Sequence, residues 1–241
     1  GRQEEKDNSI YILKSWNRKE IDMNSKLFTP VTFGPLTLRN RTIRSAAFES
    51  MCPGNKPSEQ LLDYHRSVAA GGVGMTTVAY AAVTRSGLSF DRQLWMRPEI
   101  VPALRRLTDV VHAEGAAVSI QLGHCGNMSH KSICGCLPVG ASSGFNLYSP
   151  TFVRGLRANE LPEMARAYGR AVNLAREAGF DAVEIHAGHG YLISQFLSPS
   201  TNHRKDEFGG SFENRMRFMD MVMLEVMKAA GNDMAVFVKM N

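Results

Sequence analysis

The chain has 241 residues, of which 44% are hydrophobic and 21% charged, with a formal charge of +5. That is an ordinary globular composition, and the length suits one α/β barrel or two smaller domains. No Lys/Arg run exceeds a pair such as Arg18-Lys19, Arg105-Arg106 or Arg204-Lys205, so the composition argues against nucleic acid and leaves a mild bias towards an anionic small molecule. No apolar run approaches the roughly 18 residues that a membrane span needs. The opening GRQEEKDNSIYILKSW lacks the apolar core of a signal peptide. Cys52, Cys125, Cys134 and Cys136 are too few for a disulfide scaffold in a chain this long. The expectation is a cytoplasmic protein acting on a small molecule, with no membrane partner.

In chain order, residues 1 to 22 are expected to be a disordered extension, and the organised chain runs from Met23 to Asn241. Arg41 to Ala47 predicts a short strand, and Ser58 to Ala70 a helix closed by Gly71-Gly72. Val73 to Ala79 predicts a strand. Pro98 to Glu114 carries apolar residues at Val101, Leu104, Leu107, Val110 and Val111, a helical spacing. Ala117 to Leu122 predicts a strand, and 123 to 158, rich in Gly, Ser and Pro, a long loop. Within it, His124, Cys125, His130, Cys134 and Cys136 cluster. The single glycine between the last two is poor spacing for zinc, so free thiols and no metal are expected. Leu161 to Ala178 predicts a helix, Asp181 to Ile185 a strand, Ser211 to about Ala230 a capped helix, and Ala235 to Met240 a last strand. Short apolar strands alternating with helices imply parallel pairing, in a TIM barrel or a doubly wound sheet. Five strands are found where a barrel needs eight, so the expected fold is a TIM (β/α)8 barrel truncated after about five βα units.

The polar residues that could do chemistry stand at strand ends. His186, His189 and Tyr191 follow the strand at Asp181 in DAVEIHAGHGYLISQFLSPSTNHRKDEFGGSFENRMRF. Imidazole N–H groups can polarise a carbonyl and a phenol can protonate a carbon. The same residues could be buried, satisfied histidines and a packed aromatic, or a histidine metal pair, although no carboxylate sits at the His-Glu-x-x-His spacing. Gln121 ends an apolar strand, where its amide needs partners. Lys239, at another strand end, needs an anion if buried. Arg204, Asp206, Glu207, Asn214, Arg215 and Arg217 read as a network holding the tyrosine loop. Gly71-Gly72-Val73-Gly74 precedes a strand rather than joining strand to helix, so the dinucleotide fingerprint fails.

From about Leu27 onward the chain resembles the old yellow enzyme family of FMN-dependent NAD(P)H oxidoreductases. The resemblance rests on LFTPVTFGPLTLRNRTIRSAAFES, GGVGMTTVAYAAV, QLGHCG and the histidine-tyrosine segment quoted above, and is nearest to the 2,4-dienoyl-CoA reductase branch. It implies FMN as cofactor, NAD(P)H as reductant, and an iron–sulfur cluster only if residues beyond Asn241 carry one. It implies that Gln121 meets the flavin pyrimidine edge and that Lys239, where arginine is commoner, faces its N1/C2-carbonyl side. The backbone at Ala46, Ala47, Phe48, Ala79 and Tyr80 would touch the ring system. His186 and His189 would bind the substrate carbonyl, and Tyr191 would protonate the carbon next to it. The implied activity is reduction of activated C=C bonds of α,β-unsaturated carbonyl compounds. Amine oxidation on the same fold and an inactive barrel fragment stay open, as does a homo-oligomer. Two positions depart from the family pattern. Phe48 replaces a threonine or cysteine that bonds the flavin, and Gly123 replaces a bulky aromatic, which implies a roomier pocket.

Overall fold

A computed structural model describes residues 25–147 and 150–241; the expected extension at 1 to 22 lies outside them. The chain opens with a hairpin, β1 (Val31–Phe33) and β2 (Leu36–Leu38), paired antiparallel. A two-residue strand follows, β3 (Ile43–Arg44), then α1 (Glu59–Ala70), β4 (Met75–Ala82), a short β5 (Leu94–Trp95), α2 (Val101–Ala113) and β6 (Ala117–Gly123). After β6 come a helical turn, α3 (Lys131–Cys134), and three small strands, β7 (Val139–Gly140), β8 (Gly144–Asn146) and β9 (Thr151–Gly155). The chain continues through α4 (Leu161–Glu177), β10 (Ala182–His186), α5 (Leu192–Leu197), α6 (Phe212–Ala230) and β11 (Ala235–Lys239).

The main sheet runs β11-β10-β6-β4-β3, all parallel, with β5 added beside the end of β4. The alternation of strand and helix leaves parallel pairing as the only short connection, and the described sheet is a curled partial TIM barrel. The strand residues take two faces by their period of two. Val118, Ile120 and Leu122 of β6, with Val183 and Ile185 of β10, pack outward against buried residues of the helices, including Leu104, Leu107, Tyr168, Val172, Phe218 and Val222. The opposite face begins with a small apolar layer of Met75, Ala182 and Ala235 that the β1–β2 hairpin covers with Leu36 and Leu38. It ends at the carboxyl edge with Gly123, His186 and Lys239. In a barrel of this kind the chemistry belongs at that edge.

Two expectations are corrected, and one element stands where none was expected. The strand expected over Arg41 to Ala47 is only Ile43–Arg44, because Arg44 turns to pair with Glu49 at 2.6 Å and residues 45 to 48 form the intervening loop. The long loop at 123–158 carries its own sheet, β7-β9-β8, whose strands are too short and glycine-rich to show alternation in sequence. The segment after Tyr191 begins a helix, α5, with Tyr191 at its N-cap.

Candidate active site

The centre of the site is the end of β10. His186 is buried and faces Lys239 of β11 in the parallel register. Its Nε2 lies 3.2 Å from Nδ1 of His189, and the Gly188 N–H donates to its Nδ1 at 3.3 Å. An accepting Nδ1 leaves the His186 proton on Nε2, which donates to His189; His189 then carries its own proton on Nε2. Burial first, then the charges of His189 and Lys239, hold His186 down at about 4, so at neutral pH it is an uncharged donor. His189 sits at φ +56, an uncommon backbone state for a residue other than glycine. Asn241 fixes it there by accepting the His189 backbone N–H at 2.6 Å. The Tyr191 ring lies 4.7 Å from the His186 ring, centre to centre. Its loop is held by buried Gln195, whose amide donates to Gly190 O at 2.6 Å and Asn127 Oδ1 at 2.9 Å, and by Leu192 N–H donating to His124 O at 2.9 Å.

Two strands away from β10, β4 carries a bulge. Val78 pairs with Ile120 and Ala81 with Leu122, so Ala79 and Tyr80 together oppose Gln121. The freed Ala79 N–H donates to Glu49 Oε2 at 3.1 Å, which makes that amide a structural donor. The bulge turns the Tyr80 ring to 5.3 Å from Tyr191 and 5.9 Å from His186, with its hydroxyl 2.6 Å from Ser89 Oγ. This corrects the roomier pocket expected at Gly123. A Cβ there would lie 3.1 Å from His186 Cβ and 3.3 Å from Tyr80 Cδ2. The aromatic bulk is present, but it is delivered from β4 instead of β6.

Gln121 is buried and donates to Glu184 of β10 at 2.6 Å. Lys239 is half-buried and makes no ion pair with a described carboxylate. Ala46 and Ala47 lie in the loop after β3, and Phe48 is exposed and stacked on Phe90 at 4.5 Å. An amide, an unpaired ammonium and the neutral His186 imidazole on three adjacent strand ends suit the polar edge of a flavin ring that gains negative charge on reduction. Phe48 can add stacking but no hydrogen bond. Among the described residues, no three His, Cys, Asp or Glu gather as a metal site, and no helix is long and apolar enough to cross a membrane. The expected network around Arg204 is present in part: Glu207 is exposed and outside it, and its contacts reach the loop at 141–156 and the residues of and after α5, not Tyr191 itself. Arg204 donates to Ala141 O at 2.9 Å and to Leu156 O, pairs with Asp206, and lies over the Phe196 and Phe208 rings. Arg215 donates to Leu197 O at 2.7 Å and Arg217 to Asn214 at 3.1 Å. Glu49, Tyr80, Gln195 and Asn241 escaped the sequence reading as supporting residues. Only the odd placement of a glutamate in the apolar run before Met51 hinted at one of them.

A parallel β/α sheet with its polar residues gathered at the carboxyl ends of the strands defines part of a TIM-barrel enzyme site. Residues 26–241 match the model of the NADH:flavin oxidoreductase / NADH oxidase family, and the chain belongs to that family, the old yellow enzyme family. It is 40% identical over 215 residues to a 4,4'-dithiodibutanoate disulfide reductase of Rhodococcus erythropolis, covering 89% of this chain and 53% of the relative. It is 37% identical over 209 residues to an NADPH dehydrogenase of Bacillus subtilis, covering 85% and 60%. The old yellow enzyme homologue of Zymomonas mobilis superposes with a TM-score of 0.82 at 31% identity, covering 89% of this chain and 63% of that one. The chain thus spans roughly half to two thirds of these relatives' length.

Proposed function

We propose that this chain forms the substrate-facing part of an FMN-dependent NAD(P)H oxidoreductase that reduces activated C=C bonds of α,β-unsaturated carbonyl compounds. The observation that carries the reading is the contact of His186, His189 and Tyr191 at the end of β10, beside Gln121 and Lys239. When bound, FMN would accept a hydride from NAD(P)H and return it from N5 to the β-carbon of the substrate. His189 Nε2–H and, once its bond to His189 is released, His186 Nε2–H donate to the carbonyl oxygen and stabilise its developing charge. The neutral state of His186 matters, because a donor held down at about 4 does not titrate during turnover at neutral pH. Tyr191 delivers its hydroxyl proton to the α-carbon and is reprotonated from solvent. Lys239 and Gln121 hold the polar edge of the cofactor ring, and Tyr80 limits the space above Gly123. In stopped flow, Tyr191→Phe is expected to slow the oxidative half-reaction with an enone by about 10²-fold or more, with NAD(P)H-driven flavin reduction unchanged. An unchanged oxidative half-reaction would remove Tyr191 from the chemistry.

A second reading keeps the flavin and changes the acceptor. It is favoured by the identity to the Rhodococcus erythropolis disulfide reductase, and takes an organic disulfide to two thiols at the expense of one NAD(P)H and one proton. Steady-state turnover of 2-cyclohexenone against a dicarboxylic disulfide separates the two.

A further inference from the structure

The segment after β6 carries two thiols that the site above does not use. Cys134 ends α3 and is buried, whereas Cys136 is exposed. Between them Gly135 adopts φ +76, the left-handed state that glycine takes without strain, and its N–H closes α3 on Lys131 O. That turn brings Cys136 Sγ to 3.7 Å from Cys134 Sγ, while the Cys134 thiol donates to Cys136 O at 3.2 Å. Cys136 also lines a cleft of about 700 Å³ shared with Leu137, Met164, Arg154 and Arg170. Arg154 and Arg170 are already paired with Glu160 and Glu163. Arg85 is not: its Nη2 would stand 3.3 Å from a Cβ on Gly135, and it makes no ion pair with a described carboxylate. An exposed thiol, a buried thiol in contact with it, a cleft and a spare cation thus share one turn of chain.

We propose that Cys134 and Cys136 are a thiol–disulfide exchange site for small organic disulfides bearing acidic groups. The Cys136 thiolate attacks one sulfur of the disulfide, forms a mixed disulfide and expels one thiolate. Cys134 then loses its proton to solvent and attacks the Cys136 sulfur, expelling the second thiolate. The protein dithiol is oxidised by two electrons to one intramolecular disulfide, and the small disulfide is reduced to two thiols. Closure needs the sulfurs to approach from 3.7 Å to about 2.05 Å, a movement the Gly135 hinge can absorb. Burial and the neighbouring thiol raise the Cys136 thiol above its ordinary range, opposed by Arg85 and Arg154, so the exchange quickens as pH rises.

The test uses the 241-residue chain with glutathione disulfide, without NAD(P)H or flavin, followed by peptide mass mapping. The expected product is a peptide holding both cysteines that has lost two hydrogen atoms, with two glutathiones released and Cys52 and Cys125 unmodified. Cys134→Ser should trap glutathione on Cys136, and Cys136→Ser should abolish the reaction. The cationic disulfide cystamine should react more slowly at low salt, and the difference should vanish at high salt. A lasting glutathione adduct on Cys136 of the unsubstituted chain, or modification spread equally over all four cysteines, would overturn the proposal. A preference that ignores charge would overturn the acidic class. Because no reductant or flavin is present, the outcome is independent of the function proposed above.

Discussion

At Gly123 a single missing methyl group sets the shape of the site. His186 Cβ and Tyr80 Cδ2 close in on the position from two strands, so Gly123→Ala should cost about 1–3 kcal/mol of stability. Tyr80→Ala should recover part of that loss, as a double-mutant cycle by urea denaturation will show. The buried histidines give a second prediction at this scale. His186 is held down at about 4 and His124 at about 3, chiefly by burial. Unfolding returns both towards 6.5, so the unfolded chain binds more protons below that value. The stability linked to these two histidines is therefore complete above about pH 6.5 and falls as the pH drops towards 4. His112 acts in the opposite sense: its bond to Asp181 raises it, and that contribution is lost as pH rises through the raised value. Urea midpoints at pH 7.5, 6.0 and 5.0 should decline in that order, before ordinary carboxylates titrate. His186, His189, Tyr191, Gln121 and Lys239 were legible in the sequence because each stands at the end of a recognisable strand. Tyr80 was visible as a position but not as a wall of the pocket, since its partners lie on β6 and β10 and the bulge that turns it leaves no local signature.

The elements differ in how plainly they announce themselves. The helices α1, α2, α4 and α6 are amphipathic and bounded by caps such as Ser58 and Ser211, both of which accept a backbone N–H, so periodicity and capping residues located them to within a few positions. The β7–β9 sheet and the β1–β2 hairpin did not, because strands of two to five residues are too short to establish a period. The bulge in β4 is an element-scale device held by one buried carboxylate. Glu49 takes the Ala79 N–H and the Arg44 guanidinium, with His65 Nε2 at 3.4 Å. Its side chain is 3% exposed and that of Arg44 16%, so Glu49→Ala leaves a mostly buried cation unpaired. The expected cost is about 3 kcal/mol by chemical denaturation. Glu49→Gln, which can still accept the Ala79 N–H, should lose less.

For the molecule as a whole, the sheet and its site share one direction. Every strand that contributes chemistry ends on the same edge, and the hairpin covers the other end of the sheet interior. The parallel pairing of five of the six strands of the main sheet followed from the alternation of elements, β5 being too short to show in sequence, and the family from the histidine-tyrosine segment. β11 is the edge of the described sheet, with Val238 and Met240 exposed beside Lys239. The cofactor contacts proposed for Gln121 and Lys239 fall on β6 and β11, the strands on either side of β10. The most direct test is a titration of the 241-residue chain with FMN, followed by flavin absorbance and fluorescence. Saturable binding of one FMN per chain is expected, weakened about tenfold by either Gln121→Ala or Lys239→Ala, the loss of roughly one polar contact. No binding, or binding that neither substitution alters, would contradict it.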